Sequence, residues 1–302
     1  MIFTKNTKVH DNKNHVSSIR SLKINNYRMK IGIIGYGSMG KMLLEKFIET
    51  KSVKESDIFL STEKFEEIMN LNKIYPQINI CKENTDTAKN ADILFLCVKP
   101  LDITLVLSEV INNIKDNCHI ISLAGYILFQ QLEQICAKRK ISKVMPSVTA
   151  EVYKSMTLIC HNDYVKDEDK NRIEQLLECF GKNIRVTESE LGMASDLTSS
   201  MPGFICAILK VITNEAEKHT SISRDRIVTM VTETMYGTGK LLVEKNITFD
   251  DLINRVATKG GITEEGTKVI DEKLPQVMNE MFEKTSQKIE LTIEKIKKSI
   301  YL

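Results

Sequence analysis

From residue 29 to about residue 186 the chain repeats one pattern. A short apolar run gives way to a turn, and the turn to a stretch whose apolar residues fall three and four apart. The runs predict strands at 30–34, 57–60, 79–81, 91–98, 119–123, 143–145, 156–160 and 184–186. The spaced stretches predict helices at 41–50, 65–69, 85–90, 101–114, 129–137 and 167–180. The run 91–98 fits a central parallel strand buried on both faces. Strands alternating with helices argue for a doubly wound parallel sheet with right-handed crossovers. After about residue 187 the strands stop. Helices are predicted at 191–219, 224–245, 249–257, 263–272 and 275–300, with Ser223 and Thr248 as N-caps. The last carries apolar residues at 274, 277, 278, 281, 282, 289, 293, 296 and 300. That stripe is longer than one small domain covers, which predicts packing against a second copy; an intrachain contact would look the same.

The first strand runs into Ile31-Gly-Ile-Ile-Gly-Tyr-Gly-Ser-Met-Gly40, three glycines that open a helix. Gly35 permits the turn, Gly37 lets the backbone approach a pyrophosphate, and Gly40 lets helix and strand pack closely. The helix start offers free N–H groups and a positive dipole end to phosphates. A glycine turn in an ordinary strand–helix–strand unit has the same letters, but the flanking strand and helix favour nucleotide binding. The expected fold is therefore α/β: a Rossmann doubly wound parallel sheet over 29–188, then an all-helical substrate and dimerisation domain over 189–302.

Composition changes little in this picture. The chain has 302 residues, 42% hydrophobic and 27% charged, which suits a globular protein of two domains. Net charge is +2, but residues 1–28 hold six Lys/Arg against one Asp, so the rest is mildly acidic. That balance, without a basic–aromatic stripe, argues against nucleic acid as a partner. The polar leader 1–28 lacks periodicity and an apolar signal core, and reads as disordered. Seven cysteines are scattered without a C-x-x-C pair, which suits free thiols in a reducing cytoplasm and offers no metal-ligand spacing. No uninterrupted apolar run approaches the roughly 18–20 residues of a membrane span.

Five segments could carry chemistry. Val98-Lys99-Pro100 follows a central strand, at the carboxyl edge where ligands of such sheets bind. On position alone a helix-start proline beside an exposed lysine is an equal reading. Ser122-Leu-Ala124-Gly125 ends the next strand on the same rim, where a plain strand exit would look alike. Met145-Pro-Ser147-Val-Thr149 offers two hydroxyls at another strand end, to a ligand or to local turn caps. Asp196-Leu-Thr-Ser-Ser-Met201-Pro-Gly203 makes a hydroxyl-rich weak point in a helix. Finally, Thr258-Lys-Gly260-Gly261-Ile262-Thr263 joins two helices through a turn with successive free N–H groups, a carboxylate-sized anion site.

Taken in order, these segments resemble pyrroline-5-carboxylate reductase over about residues 29–282. The wording around Leu96–Asp102, Pro146–Thr149 and Val256–Gly266 is most similar to its divergent late-competence (ComER-like) branch. The resemblance implies NAD(P)H-dependent reduction of the cyclic imine 1-pyrroline-5-carboxylate to proline, in a homodimer, or an assembly of dimers, whose C-terminal helices interleave beside each site. The same resemblance leaves a runner-up, a non-catalytic or altered-substrate NAD(P)-binding paralogue with a regulatory role. By resemblance, the cofactor residues are Gly35, Tyr36, Gly37, Ser38, Met39 and Gly40, with Val98, Lys99, Pro100, Ala124 and Gly125 beside the nicotinamide. Thr263 matches the threonine that meets the imine nitrogen and is the catalytic candidate. Thr258, Gly260, Gly261 and Ile262 match the turn that holds the substrate carboxylate. Departures fall at Ser38, where the family has Asn, and at Ser147, Met201 and Lys259, where it has Asn, Gly and Pro. After the second strand, Ser61, Thr62 and Lys64 suit a 2′-phosphate, whereas Glu63 suits a ribose diol. Family habit leans to NADPH over NADH.

Overall fold

The computed structural model describes residues 29–300. The leader at 1–28, expected to be disordered, lies outside the described residues. Eight strands form one sheet: β1 (Ile31–Ile34), β2 (Ile58–Ser61), β3 (Asn79–Ile80), β4 (Ile93–Leu96), β5 (His119–Ser122), β6 (Lys140–Met145), β7 (Ser155–His161) and β8 (Gly181–Arg185). Their spatial order is β3-β2-β1-β4-β5-β6-β7-β8. The intervening helices are α1 (Ser38–Glu49), α2 (Phe65–Ile68), α3 (Asn84–Asn90), α4 (Ile103–Val110), α5 (Phe129–Ile135) and α6 (Asp167–Leu177). Every residue of β1, β4 and β5 is buried, which explains why these strands read as continuous rather than alternating runs.

Two apolar layers sandwich the sheet. On one side Leu43 and Phe47 of α1, with Ile173 and Leu177 of α6, pack on Ile33, Phe95 and Ile159. The Phe47 ring lies 5.7 Å from Phe95 and 6.4 Å from Phe180. On the other side Ala88, Ile103, Leu107 and Leu132 cover Ile34, Leu96 and Ile120.

One expectation fails in the sheet. β6 and β7 are antiparallel, Val144 opposite Ile159, so the last two strands run against the first six. The linker, residues 146–154, holds a single 3-10 turn, Val148–Val152. It is too short for the dozen or more residues of a parallel crossover.

The second half is helical: α7 (Leu191–Ser195), α8 (Met201–Ala216), α9 (Arg224–Lys245), α10 (Phe249–Val256) and α11 (Ile262–Ile300). The weak point expected after Ser195 is a π-helical turn, Asp196–Ser200, between α7 and α8. Such turns insert an extra residue and re-aim side chains. The two helices expected at 263–272 and 275–300 are one. Pro275 removes one N–H, but it sits on an exposed stretch where water can satisfy the carbonyl it frees.

Among the described residues 201–298 only Thr213, Ile227 and Ile296 are buried. Ile208, Val211, Met230, Phe249, Val269 and Val277 are all exposed. A helical array without a core of its own requires a partner surface. Leu191–Ala216 contains an 18-residue window of mean hydropathy 1.2, long and apolar enough to cross a bilayer by length and composition only, a test that helices of soluble proteins also pass.

Candidate functional site

The glycine loop lies where β1 meets its two neighbours, the point at which strand order reverses. Gly35 has φ +101° and its N–H donates to Ser61 O at 2.8 Å, so the turn is locked onto β2. A Cβ on Gly40 would overlap the Gly35 carbonyl, so only glycine lets α1 start this close to the strand. Gly37 caps α1 without a side-chain hydrogen bond, and the first turn holds no acidic residue. By position the first amides of α1 lack helical partners. A Cβ on Gly37 would meet no protein atom within 4 Å, so this backbone is open to a ligand. An uncapped, electropositive helix start with open backbone fits a pyrophosphate.

The other predicted cofactor residues converge on the same edge. Cys97 N–H donates to Ile34 O at 2.7 Å, and Leu123 N–H to Leu96 O at 3.1 Å, which ranks the ends of β1, β4 and β5 side by side. Val98 packs against Gly35. Lys99 is exposed, and Pro100 opens the turn into α4. Ala124 N–H donates to Ser122 Oγ at 3.2 Å, and Gly125 lies against Met145. Tyr36, Ser38 and Met39 flank the loop, Ser38 exposed and the other two half-buried.

After β2 the hydroxyls and cation are less free than their letters suggest. Ser61 is fully buried and donates to Asn84 Oδ1 at 2.9 Å. Lys64 pairs with Glu67 at 3.4 Å. Thr62 is half-buried and Glu63 exposed. Of the other candidate hydroxyls, Ser147 accepts from Thr149 N–H at 3.4 Å and Thr149 donates to Lys154 O at 3.0 Å. Both make local caps.

The Thr258–Thr263 turn stands apart from this rim. Gly260 has φ +72°, its N–H meets the Glu264 carboxylate, and Gly261 N–H donates to Thr258 O at 2.8 Å. Thr258, Ile262 and Thr263 are exposed, Ile262 to 95%. The turn opens α11. Further along that helix Thr285 donates to Asp196 Oδ2 at 2.5 Å. At 1.5 Å per residue, Thr263 is about 33 Å from Thr285. Asp196 belongs to the π turn, which is tied to the rim: Tyr126 and Ser195 share a hydrogen bond of 2.8 Å, and Ser199 donates to Pro146 O at 3.3 Å. Among the described residues, the hydrogen bonds of the turn are all local and none reaches the rim.

Sequence reading missed the residues that join the halves. Tyr126, Ser195, Asp196 and Thr285 are one set; Lys143 and Glu188 are another. Lys143, fully buried in β6, ion-pairs with Glu188 and lies 4.5 Å from the Phe129 ring centroid. Burial holds its pKa below the usual lysine value, against the pull of Glu188. A lysine between Ser142 and Val144, within a strand whose neighbours are apolar runs, was the only signal. Among the described residues no group of His, Cys, Asp and Glu is arranged to hold a metal.

Comparison with known proteins agrees with this geometry. A family model described as pyrroline-5-carboxylate reductase dimerisation matches residues 188–291. One described as NADP oxidoreductase, coenzyme F420-dependent, matches residues 30–126. Pyrroline-5-carboxylate reductase 3 of Bacillus subtilis (strain 168) is 36% identical over 270 residues, covering 89% of this chain and 98% of that protein. ComE operon protein 4 of the same organism is 28% identical, covering 91% and 100%. The structure of a pyrroline-5-carboxylate reductase from Coxiella burnetii superposes with TM-score 0.78 at 22% identity, covering 90% of this chain and 99% of that one. With glycine loop, rim and helical half all matched along nearly the whole length of a relative, the chain belongs to the pyrroline-5-carboxylate reductase family.

Proposed function

We propose that this chain reduces 1-pyrroline-5-carboxylate to L-proline with NAD(P)H. The observation that carries the reading is the 36% identity to a relative named for this activity, over 98% of that relative's length. When bound, the reduced nicotinamide supplies the hydride that the imine carbon accepts. The open amides at the start of α1 hold the pyrophosphate, with Gly35–Gly40 shaping the turn. Val98, Lys99 and Pro100 on one side, and Ala124 and Gly125 on the other, position the ring.

The amides of Gly260, Gly261 and Ile262 bind the substrate carboxylate, with Thr258 shaping the turn. For this, Gly260 N–H exchanges its Glu264 partner for the substrate. The Thr263 hydroxyl hydrogen-bonds the imine nitrogen, which gains a proton as the carbon gains hydride. The roughly 33 Å of helix between Thr263 and the Thr285–Asp196 contact, with the unburied helical half, supports a site completed by the turn of a second copy. The assembly is then a homodimer or a set of dimers, with Leu191–Ala216 as part of its interface rather than a membrane span. Seven free cysteines suit a reducing cytoplasm.

The test is loss of reduced-nicotinamide absorbance when purified protein meets the imine with NADPH or NADH. Turnover supports the reading. Cofactor binding without turnover favours the second reading, a regulatory or altered-substrate paralogue, to which the relationship with ComE operon protein 4 and the half-exposed Met201 give some support.

A further inference from the structure

We infer that Glu63 makes this chain select NADH over NADPH. The inference rests on the nucleotide-binding part of the proposed function and not on the imine. β2 ends at Ser61, whose carbonyl accepts from Gly35 N–H at 2.8 Å. The residues that follow, Thr62, Glu63 and Lys64, therefore stand where the adenosine ribose falls when a pyrophosphate sits on Gly35–Gly40. What distinguishes the two cofactors there is a dianionic phosphate or a neutral diol.

Ser61, Lys64 and Lys41, which would favour the phosphate, are each engaged elsewhere, and the half-buried Thr62 carries a hydroxyl that serves a phosphate and a diol alike. The Ser61 hydroxyl is buried and donates to Asn84. Asn84 in turn donates to a Glu109 carboxylate oxygen at 3.0 Å. The charge behind Ser61 is thus negative. Lys64 faces Glu67 at 3.4 Å with its side chain 74% exposed, so its attraction is both shared and screened. Lys41, in the first turns of α1, leans to Glu45 at 3.9 Å. Lys82 is followed directly by Glu83. No arginine occurs between residues 29 and 138, so the planar fork that grips a phosphate bidentately is missing from the nucleotide half of the sheet.

Glu63 remains. It is exposed, and no ion pair among the described residues neutralises it. A carboxylate accepts hydrogen bonds from both hydroxyls of a diol and repels a phosphate in the same place. The structure thus moves the balance away from the NADPH expected on family habit.

The experiment titrates the purified full chain with NADH and, separately, NADPH, following nicotinamide fluorescence with no imine present. NADH should bind at least about tenfold more tightly. Glu63→Gln should narrow that ratio, and Glu63→Arg should invert it by strengthening NADPH binding. Equal affinities in the wild-type chain, tighter NADPH binding, or an unchanged ratio in both variants would overturn the inference while leaving the reductase reading standing. Failure of both cofactors to bind would overturn both. Glu63 is exposed, so the variants should keep the wild-type melting temperature.

Discussion

Lys143 and Glu188 form an ion pair between the buried centre of the sheet and the segment by which the chain leaves it. The lysine side chain is wholly enclosed; the glutamate is one-third exposed and also accepts the Phe129 N–H at 2.7 Å. One carboxylate therefore neutralises a charge in β6 and caps the start of α5. Glu188→Ala strands the ammonium and should cost about 3–5 kcal/mol. Replacing both partners by Met and Gln should recover most of that loss. Urea unfolding midpoints decide it: a cost below about 1 kcal/mol for the single variant would mean that water reaches Lys143.

A second network crosses three strands at the other edge of the sheet. His119 Nε2 lies 2.7 Å from Ser142 Oγ, which lies 2.6 Å from His161 Nδ1, and His161 reaches Glu174 at 3.4 Å. Burial is the main cause that holds the His119 pKa down to about 3, and it lowers that of His161 too. Both rings are neutral when folded, so the unfolded chain binds more protons below about pH 6.5. Stability is full above that pH and falls on acidification, for His119 by up to about 1.4 kcal/mol per unit toward 3, with His161 adding in the same direction. His119→Gln should flatten the dependence between pH 6.5 and 5. An unchanged slope in that variant would remove His119 from the acid response.

If rim and turn come from different copies, two dead variants should rescue each other. Gly37→Asp blocks the pyrophosphate without a clash, because nothing lies within 4 Å of the added Cβ. Thr263→Ala removes the hydroxyl that we propose meets the imine nitrogen and should lower kcat by roughly a hundredfold. Unfolded, refolded and mixed in equal amounts, the pair should regain about a quarter of wild-type activity, since half of the dimers are mixed and each has one intact site. No recovery, with mixed dimers demonstrated, would place both elements of a site in one chain.

Gly40→Ala tests the close approach of α1 to β1. The added methyl overlaps the Gly35 carbonyl, so the helix start must shift. A stability loss of about 1–3 kcal/mol is expected, together with loss of cofactor affinity. Calorimetry and fluorescence titration on the same sample separate the two effects. Wild-type affinity would show that the loop tolerates a displaced helix.

The parts legible in the sequence were those written locally. β1, β4 and β5 are continuous apolar runs because both faces are covered, and Gly35 to Gly40 mark the turn through backbone geometry alone. The reversal of β7 was legible in principle, since residues 146–154 are too few for a crossover helix, but loop length leaves no hydrophobic period. Ser61 reads as a ligand from its position and turns out to be bonded to Asn84, a partner 23 residues away. Tyr126 with Ser195, and Asp196 with Thr285, are 69 and 89 residues apart. No spacing rule reaches that far. Pro275 misled for the opposite reason, as a strong local signal overridden by helix on both sides.

The 39-residue α11 is anchored by Ile296 in the apolar layer beneath the sheet and by Thr285 on Asp196, and carries Thr263 at its far end. Beyond Thr285 that is a lever arm of about 33 Å. A tilt of about 5° at the anchor would swing the Thr263 hydroxyl by roughly 3 Å, where a misplacement of 1 Å can slow chemistry a hundredfold. Among the described residues no hydrogen bond ties the Thr263 end of this rod back to the sheet. Alignment of the reacting groups is then a property of the assembly, and specific activity should collapse on dilution at the concentration where subunits part, while the folded sheet persists.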